Sequence, residues 1–225
     1  MKKRFLPFLF LLFLFTKNAA SLEPGKAGSA ANSRTTFGLN LVKEEASGTL
    51  YHDPRGNADV FVPKGYQFAL PVSNKQVSYN FGLKNQTRPY EVRLRFDPLS
   101  PTLQEHAACE KKNKERPGSC VMVNPDKMTP VWAQTMLMNL DGGKPGNFES
   151  FPEKAVKLEF GADWGYTSGV FELKDRDFAG SYRQGQIVQI HKNGVGTYTI
   201  FFLFQDPKTH LDVFQKIFHL VKFKS

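Results

Sequence analysis

Ser168, His191 and Asp163 are the residues of this 225-residue chain that could together perform nucleophilic catalysis. In a hydrolase, a serine hydroxyl attacks the substrate while a histidine accepts its proton and a carboxylate orients the histidine. The neighbouring sequence does not support this assignment, because Ser168 falls one place too late in Gly165–Gly169 for the GxSxG motif. A hydrolase of the cell envelope therefore stands only as an alternative interpretation.

Other signatures of catalysis and of metal binding are missing from the sequence. It contains no HExxH, no phosphate-binding P-loop and no dinucleotide-binding GxGxxG. Its five histidines are dispersed, and no two of them have the spacing of metal ligands. The sequence therefore predicts a protein that is not an enzyme and that needs no cofactor and no metal ion.

The segment Asp163–Tyr166 is the most distinctive candidate for binding. An exposed Trp164 beside Asp163 and Tyr166 would suit stacking on a sugar or anchoring a partner protein, since tryptophan and tyrosine are favoured at interfaces. The alternative, which we favour, is a tryptophan that packs under the edge of a sheet at a glycine-flanked bulge. For Trp132, which lies beside Met136 in a predicted helix, we expect a place in the core.

Two cysteines, Cys109 and Cys120, enclose a segment with a strong turn signal at Pro117-Gly118. Because they lack the CxxC spacing of redox and metal sites, we predict a structural disulfide formed in an oxidising compartment.

The enclosed segment is the second candidate for binding. Its basic residues are balanced in part by Glu110 and Glu115, which leaves a net charge of +2. Such a loop could touch anionic glycans or acidic lipid headgroups, and the alternative that we favour is a solvated loop tip. The basic residues are Lys111, Lys112, Lys114 and Arg116.

The beginning of the chain has the features of a bacterial secretory signal peptide. Basic residues at positions 2–4 precede the 11-residue apolar run Phe5–Phe15, and small residues suited to cleavage follow at 18–21. We therefore predict a signal peptide over 1–21, a flexible leader over 22–36 and one domain over 37–225. The mature chain would be periplasmic, exposed at the outer surface or secreted, with no stable membrane span after cleavage.

The charge of the chain does not favour nucleic acid as a partner. The whole sequence has 30 basic and 21 acidic residues, and removal of the four basic residues in the predicted signal peptide leaves 26 against 21. This small excess is not clustered enough for several phosphate contacts. With 40% hydrophobic and 23% charged residues, the composition is that of a globular protein.

Strand patterns dominate the domain. The residues Tyr90–Phe96 alternate between apolar and polar, which predicts a strand with one buried face and with Arg93 and Arg95 on its solvent face. Asn193-Gly194 predicts a hairpin turn, and the apolar run 197–204 predicts a central strand covered on both sides. Further predicted strands span residues 59–63, 66–70, 77–83, 156–160, 168–173 and 220–223.

Three segments have helical patterns, at 102–109, 131–140 and 208–219. The first two are preceded by Ser-Pro and Thr-Pro, which are typical of helix starts. The third has apolar residues on one face, and Thr209 and Asp212 indicate a capping box at its start. Antiparallel hairpins with helices at a few points predict an α+β domain, in which a central antiparallel sheet is flanked by helices.

The end of the chain resembles the PsbP-like α/β/α sandwich family. The resemblance rests on the closing pattern Phe214, Ile217, Phe218, Leu220 and Phe223, and on the opening VPKGYQFALP at residues 62–71. His219 stands where that family often has serine. The resemblance covers about 60 residues at the end and 15 near the start. The segment 155–194 is also similar to uncharacterised exported proteins of spirochaetes.

The family resemblance implies protein binding or an accessory role and carries over no functional residue. Together with the export signal, it leads us to expect a non-enzymatic envelope or secreted protein that binds another macromolecule, a protein or a glycan. The alternatives are the envelope hydrolase and a secreted adhesin for anionic glycans.

Overall fold

Two antiparallel sheets and five helices form the part of the protein that the computed structural model describes, residues 35–225. The signal peptide predicted over 1–21 and the leader up to residue 34 lie outside the described residues. The last two residues of the predicted leader, Thr35 and Thr36, form the first strand and pair with Asn40 and Leu39.

The strands follow one another in an order that mixes hairpins with long connections. They are β1 (Thr35–Thr36), β2 (Leu39–Glu45), β3 (Gly48–Asp53), β4 (Ala58–Pro63), β5 (Tyr66–Ala69), β6 (Phe81–Asn85), β7 (Tyr90–Pro98), β8 (Phe148–Ser150), β9 (Trp164–Ser168), β10 (Phe171–Glu172), β11 (Gln184–Lys192), β12 (Gly196–Phe204) and β13 (Val221–Phe223). The helices are α1 (Ser100–Glu115), α2 (Thr129–Leu140), α3 (Glu153–Phe160), α4 (Arg176–Ala179) and α5 (Pro207–Ile217), and a 3-10 turn spans Pro125–Lys127.

The larger sheet is built around the predicted hairpin. Its strand order is β5-β6-β7-β12-β11-β9-β8, and β10 pairs with β11 beyond the end of β9. β11 and β12 pair along their whole length from Gln184↔Phe204 to Lys192↔Gly196, across the turn at Asn193-Gly194. The prediction of a hairpin at this position is therefore confirmed.

β12 is the central strand, and all nine of its residues are buried. Ile200 and Phe202 point into one core cluster, which also contains residues of the smaller sheet, α3 and α5. Phe201 and Leu203 point into a second cluster, which contains residues of α2 and α4. The predicted α+β fold is confirmed, because the antiparallel sheet is flanked by other elements on both faces.

The smaller sheet has the order β1-β2-β3-β4-β13 and joins the two ends of the described chain. Val221 pairs with Val60 and Phe223 with Ala58, so the short closing strand completes a sheet that was begun far earlier in the sequence. The strand patterns of the sequence do not distinguish this second sheet from the first.

The predicted strand at 156–160 is wrong, because these residues form the second half of α3. Val156 and Phe160 are both buried and lie one helical turn apart, and a short apolar run of this kind fits a strand equally well. Gly161 ends the helix at φ 60°, where a Cβ atom would lie 2.3 Å from the carbonyl oxygen of Phe223.

The assignment of Arg93 to a solvent face is also wrong. Arg93 and Glu91 are buried and form an ion pair at 2.6 Å, and the guanidinium lies 4.7 Å from the ring centroid of Phe178. Arg93 also donates to the carbonyl oxygen of Phe178 in α4. Arg95, in contrast, remains partly exposed and pairs with Asp97.

Several predicted boundaries differ from those observed. The strand predicted over 168–173 is interrupted, because β9 ends at Ser168 and β10 covers only Phe171–Glu172. Residues 77–80 are irregular, and the strand there begins only at Phe81. α5 is capped by Asp206, whose carboxylate accepts from the backbone of Lys208 and Thr209, and not by the predicted capping box. α1 runs to Glu115, well beyond the predicted end at 109.

Candidate functional site

The three residues of the hypothetical catalytic triad do not come together. The Ser168 hydroxyl donates to the carbonyl of Gly169 at 2.8 Å and accepts from the backbone of Ile187. His191 pairs with Trp164, four residues from Ser168 along β9, which corresponds to ~13 Å of strand. The geometry therefore excludes this version of the hydrolase.

His191 instead forms hydrogen bonds with the Asp126 carboxylate and the Thr197 hydroxyl, two groups that no sequence motif indicated. Its Nε2 lies 2.9 Å from Oδ1 of Asp126, and its Nδ1 lies 2.8 Å from Oγ1 of Thr197. The indole of Trp164 stacks on the imidazole, with the ring centroids 4.4 Å apart. His191 is completely buried.

The partners of His191 determine its tautomer. An ionised carboxylate only accepts, so Nε2 carries the hydrogen that is donated to Asp126, and Nδ1 accepts from the Thr197 hydroxyl. Burial lowers the pKa of His191, and Asp126 opposes this effect only in part. The imidazole is therefore neutral at pH 7.

The hydrogen-bonded chain continues beyond Thr197 across the face of the larger sheet. The Thr197 hydroxyl lies 3.4 Å from that of Thr129, and the Thr129 carbonyl lies 3.2 Å from the hydroxyl of Tyr166. The Tyr166 hydroxyl also bonds Gln189, whose amide donates to Thr199. We call these groups the buried polar network: Asp126, Thr129, Tyr166, Gln189, His191, Thr197 and Thr199.

A hydroxyl, an imidazole and a carboxylate in series also occur in nucleophilic enzymes, but there the hydroxyl faces a substrate. Here Thr197 is 2% exposed and its hydroxyl is enclosed between His191 and Thr129. The arrangement thus binds elements of the protein together and leaves no room for a reacting group. Among the described residues, no three His, Cys, Asp or Glu side chains are grouped as a metal site requires.

The buried polar network holds the start of α2 against the sheet. Asp126, in the 3-10 turn before α2, accepts from both His191 and the backbone of Gly194, so one carboxylate oxygen holds the hairpin turn. Thr129, the first residue of α2, contacts Thr197 and Tyr166. The inner face of α2 then packs apolar side chains into the core, which fixes the direction of its outer face.

The outer face of α2 is mainly apolar and exposed. At about 100° per residue, Val131, Trp132, Thr135 and Met138 occupy an arc of roughly 120°, and the exposed Pro130 lies outside it. The helix contains no charged residue. Trp132 is 38% exposed on this side, so the expectation that it packs in the core is wrong. We call this surface the α2 face: Val131, Trp132, Thr135 and Met138.

The predicted disulfide between Cys109 and Cys120 is confirmed, with 5.4 Å between the two Cα atoms. Asn113 reinforces it, because its side chain accepts from the Cys120 backbone at 2.9 Å and donates to the Cys120 carbonyl. Val121, the next residue, is consequently held beside α1 although it is 93% exposed.

The basic residues between the cysteines lie mainly on a helix, which corrects the prediction of a loop. Three of them belong to the last turns of α1, and the fourth follows directly as its C-terminal cap. In residues 35–225, no carboxylate forms an ion pair with any of them. We call this region the stapled tip: Lys111, Lys112, Lys114, Arg116, Val121 and Val123.

The other predicted binding segment, Asp163–Tyr166, takes part in the architecture. Asp163 accepts from the backbone of Asn193 at 2.8 Å and so caps the hairpin turn. Trp164 is half-buried and stacks on both His191 and Tyr166, and Tyr166 is buried in the polar network. These positions fit the packing alternative of the sequence analysis.

The buried polar network left a faint signal in the sequence. Gln189, His191, Thr197 and Thr199 occupy alternate positions in strands with apolar neighbours. Polar groups in a strand that is covered on both sides must find partners. The pattern does not identify those partners, because Asp126 and Thr129 come from a distant segment.

Comparisons with known proteins identify no family for the chain. No family model matches the sequence, and no curated protein matches it. Among solved structures, the solution structure of cyanobacterial PsbP (CyanoP) from Synechocystis sp. PCC 6803 is similar, with a TM-score of 0.47 and 11% sequence identity. The match covers 89% of this chain and 100% of that chain.

CyanoP belongs to the family that the end of the sequence resembles, and at this identity the likeness concerns the fold alone. The described residues contain no helix that is both long and apolar enough to cross a membrane.

Proposed function

We propose that the protein is an exported, non-enzymatic binding module that docks a partner protein on the α2 face. The observation that carries the proposal is the contrast between the two sides of α2. Its inner side is fixed by apolar packing and by the buried polar network, while its outer side exposes Val131, Trp132 and Met138 with no charge on the helix.

A fixed apolar helix face is suited to protein recognition. Tryptophan is the residue most enriched among those that dominate binding energy, and a rigid helix spends little conformational entropy on docking. Because α2 carries no charge, we expect a partner with an apolar patch, bound mainly through the removal of these side chains from water.

Export is the second part of the proposal. The disulfide between Cys109 and Cys120 supports an oxidising compartment. Together with the predicted signal peptide, it favours the periplasm, the outer surface or secretion over the cytoplasm.

The proposal is tested by crosslinking from defined positions. A photo-crosslinking amino acid replaces Thr135 on the α2 face, and the matched control replaces Lys154, an exposed residue of α3. We expect one dominant adduct in native envelope extract from position 135 and not from position 154. Equal adducts from both positions would contradict the proposal.

The partner identified in this way is then purified for affinity measurements. We expect Trp132→Glu to weaken its binding roughly thirty-fold or more, as for an interface residue that dominates affinity. The control, Leu158→Glu, changes a residue of α3 that is 73% exposed and should leave the affinity unchanged. Both variants should keep the wild-type melting temperature. Undiminished binding by Trp132→Glu would refute the assignment of the α2 face.

A further inference from the structure

The α2 face has a depression at its centre. Val131, Trp132 and Met138 are large and exposed, whereas Thr135 between them is small. On a helix, residues i, i+3, i+4 and i+7 surround one hole that a side chain of a facing helix can enter. Two such sets overlap on α2. The first consists of Met128, Val131, Trp132 and Thr135, and the second of Val131, Gln134, Thr135 and Met138.

The two holes follow one another along the helix. Their centres lie three residues apart, which corresponds to ~4.5 Å along the helix axis. Side chains three or four residues apart on a second helix are neighbours on its surface with a similar spacing. Two of them can therefore enter both holes at once, between the methionines at the two ends of the row.

An extended strand does not match this surface. The residues of α2 form hydrogen bonds within their own helix, so a strand laid along it would find no partners for its backbone N–H and C=O groups. A helix satisfies its backbone internally and buries only side chains. The α2 face therefore favours a helix with apolar residues along one side.

The charges beyond the two ends of α2 indicate the direction of that helix. α2 has no acidic residue in its first turn and no basic residue in its last turn. Lys127 precedes the helix and Asp141 follows it, and each has the sign that the dipole of α2 disfavours at that end. Asp126 is directed inwards to His191, whereas Lys127 is exposed.

Neither Lys127 nor Asp141 forms an ion pair in the part of the chain that the structure describes. Lys174, whose backbone N–H donates to the last residue of α2, pairs with Glu172 at 2.6 Å and not with Asp141. A helix antiparallel to α2 brings the positive end of its dipole to Asp141 and the negative end to Lys127. Antiparallel docking therefore complements both charges, whereas parallel docking opposes them.

We propose that the occupant of the α2 face is an amphipathic helix of the partner protein, docked antiparallel to α2. Its apolar side chains, three or four residues apart, enter the two holes that Val131 and Thr135 share. This inference rests on the proposed function and adds to it the structural class and the direction of the segment that binds.

The first test reads the direction of the partner segment from crosslinks. The photo-crosslinking amino acid is placed in turn at positions 131, 135 and 138, and the modified residues of the partner identified from position 135 are mapped by mass spectrometry. We expect each step along α2 to move the adduct back along the partner sequence by three or four residues. A forward order, or adducts without this spacing, would overturn the proposal. The absence of a dominant adduct from position 135 would refute the proposed function itself, so the two failures are distinguishable.

Variants of Thr135 test the holes against a flat apolar contact. Thr135→Phe fills both holes and should weaken the affinity for the purified partner about ten-fold or more, because the entering side chains lose their space. Thr135→Ala keeps the holes open and should weaken it by about three-fold at most. Both variants should keep the wild-type melting temperature, since Thr135 is exposed. A flat contact would gain affinity from the added apolar area of Thr135→Phe, and that result would overturn the proposal.

Charge reversal tests the match at the end of α2. Asp141→Lys should weaken the affinity about five-fold at low salt, and the effect should shrink as salt is added. The matched control is Asp212→Lys, an exposed residue of α5 on the opposite face of the larger sheet, and it should bind as the wild type does. Unchanged or stronger binding by Asp141→Lys would contradict antiparallel docking.

Discussion

Two buried histidines, His191 on β11 and His210 on α5, have nearly the same hydrogen-bond geometry in different surroundings. Each accepts at Nδ1 from a hydroxyl 2.8 Å away, that of Thr197 or of Tyr90. Each donates from Nε2, His191 to Asp126 and His210 to the amide oxygen of Gln186. The main chemical difference is a carboxylate in one place and an amide in the other.

This difference sets how readily each ring can become charged. Burial lowers the pKa of His210 to about 4, with no carboxylate to oppose it. Its ring stacks on Phe204 at a centroid distance of 3.9 Å, so it behaves as a polar member of an aromatic core. His191 has a carboxylate beside it, that of Asp126, which belongs to the segment that leads to the α2 face.

A buried histidine contributes to the structure through the elements that it connects. His210 joins α5 to neighbouring strands within one core, through groups that are neutral at pH 7. His191 joins the hairpin turn, the 3-10 turn and, through Thr197, the start of α2.

Removal of the His191 ring should have the largest effect. His191→Ala would leave a cavity, deprive Thr197 and Asp126 of their partner and remove the stacking contact of Trp164. We expect a loss of ~4 kcal/mol in the free energy of unfolding. The measurement is urea unfolding at pH 7, with His106→Ala on α1 as a control that should change stability by less than ~0.5 kcal/mol. A small effect of His191→Ala would show that the network is dispensable.

Protonation of His210 at acid pH should cause the next largest loss in the free energy of unfolding. Because its folded pKa, about 4, lies below the ordinary value of 6.5, the unfolded chain binds its proton first as the pH falls. The stability that depends on a neutral His210 is present above pH 6.5 and is lost as the pH falls towards 4, by ~3 kcal/mol. Urea unfolding at both pH values should reveal this loss in the wild type.

His210→Phe provides the comparison for the acid effect. Phenylalanine keeps the ring stacked on Phe204 and cannot take up a proton. The variant should lose at least ~2 kcal/mol less than the wild type between pH 6.5 and 4. The same decline in both proteins would assign the acid effect to other groups.

Replacement of the Asp126 carboxylate by an amide should have the smallest effect on the free energy of unfolding. It is also the most direct test of the difference between the two histidine sites. Both hydrogen bonds of Asp126 end at Oδ1, so Asp126→Asn can keep them while it removes the charge. We expect a loss of only ~1 kcal/mol and a fall in the pKa of His191. The pKa is read from the NMR signals of the imidazole ring against pH. An unchanged pKa would mean that the carboxylate does not determine the difference between the two sites.

The parts of the fold that the sequence predicted are those set by local pattern. Asn193-Gly194 favours a β-hairpin turn, and residues 197–204 are mainly apolar on both faces of the strand. The central hairpin could therefore be predicted from the sequence. The disulfide could be expected because the sequence contains only one pair of cysteines.

The parts that could not be predicted depend on contacts between distant segments. Arg93 looks like a surface residue in its strand, but the ring of Tyr79 and, 85 residues later in the chain, Phe178 of α4 cover it. Likewise, the partner of His191 lies 65 residues away, on a turn whose position no local pattern determines. The α2 face was missed for the opposite reason, because exposed apolar residues have the same pattern as core residues.

The pairing of β13 with β4 has a consequence for the order of events during synthesis. Residues 58–60 must wait for residues 221–223 before the smaller sheet can close, and the backbone of Phe61 likewise waits for the carbonyl of Leu220. Contacts between such distant residues form late, because a long loop must be ordered first. A nascent chain on the ribosome therefore cannot complete this sheet until almost all of residues 35–225 have emerged.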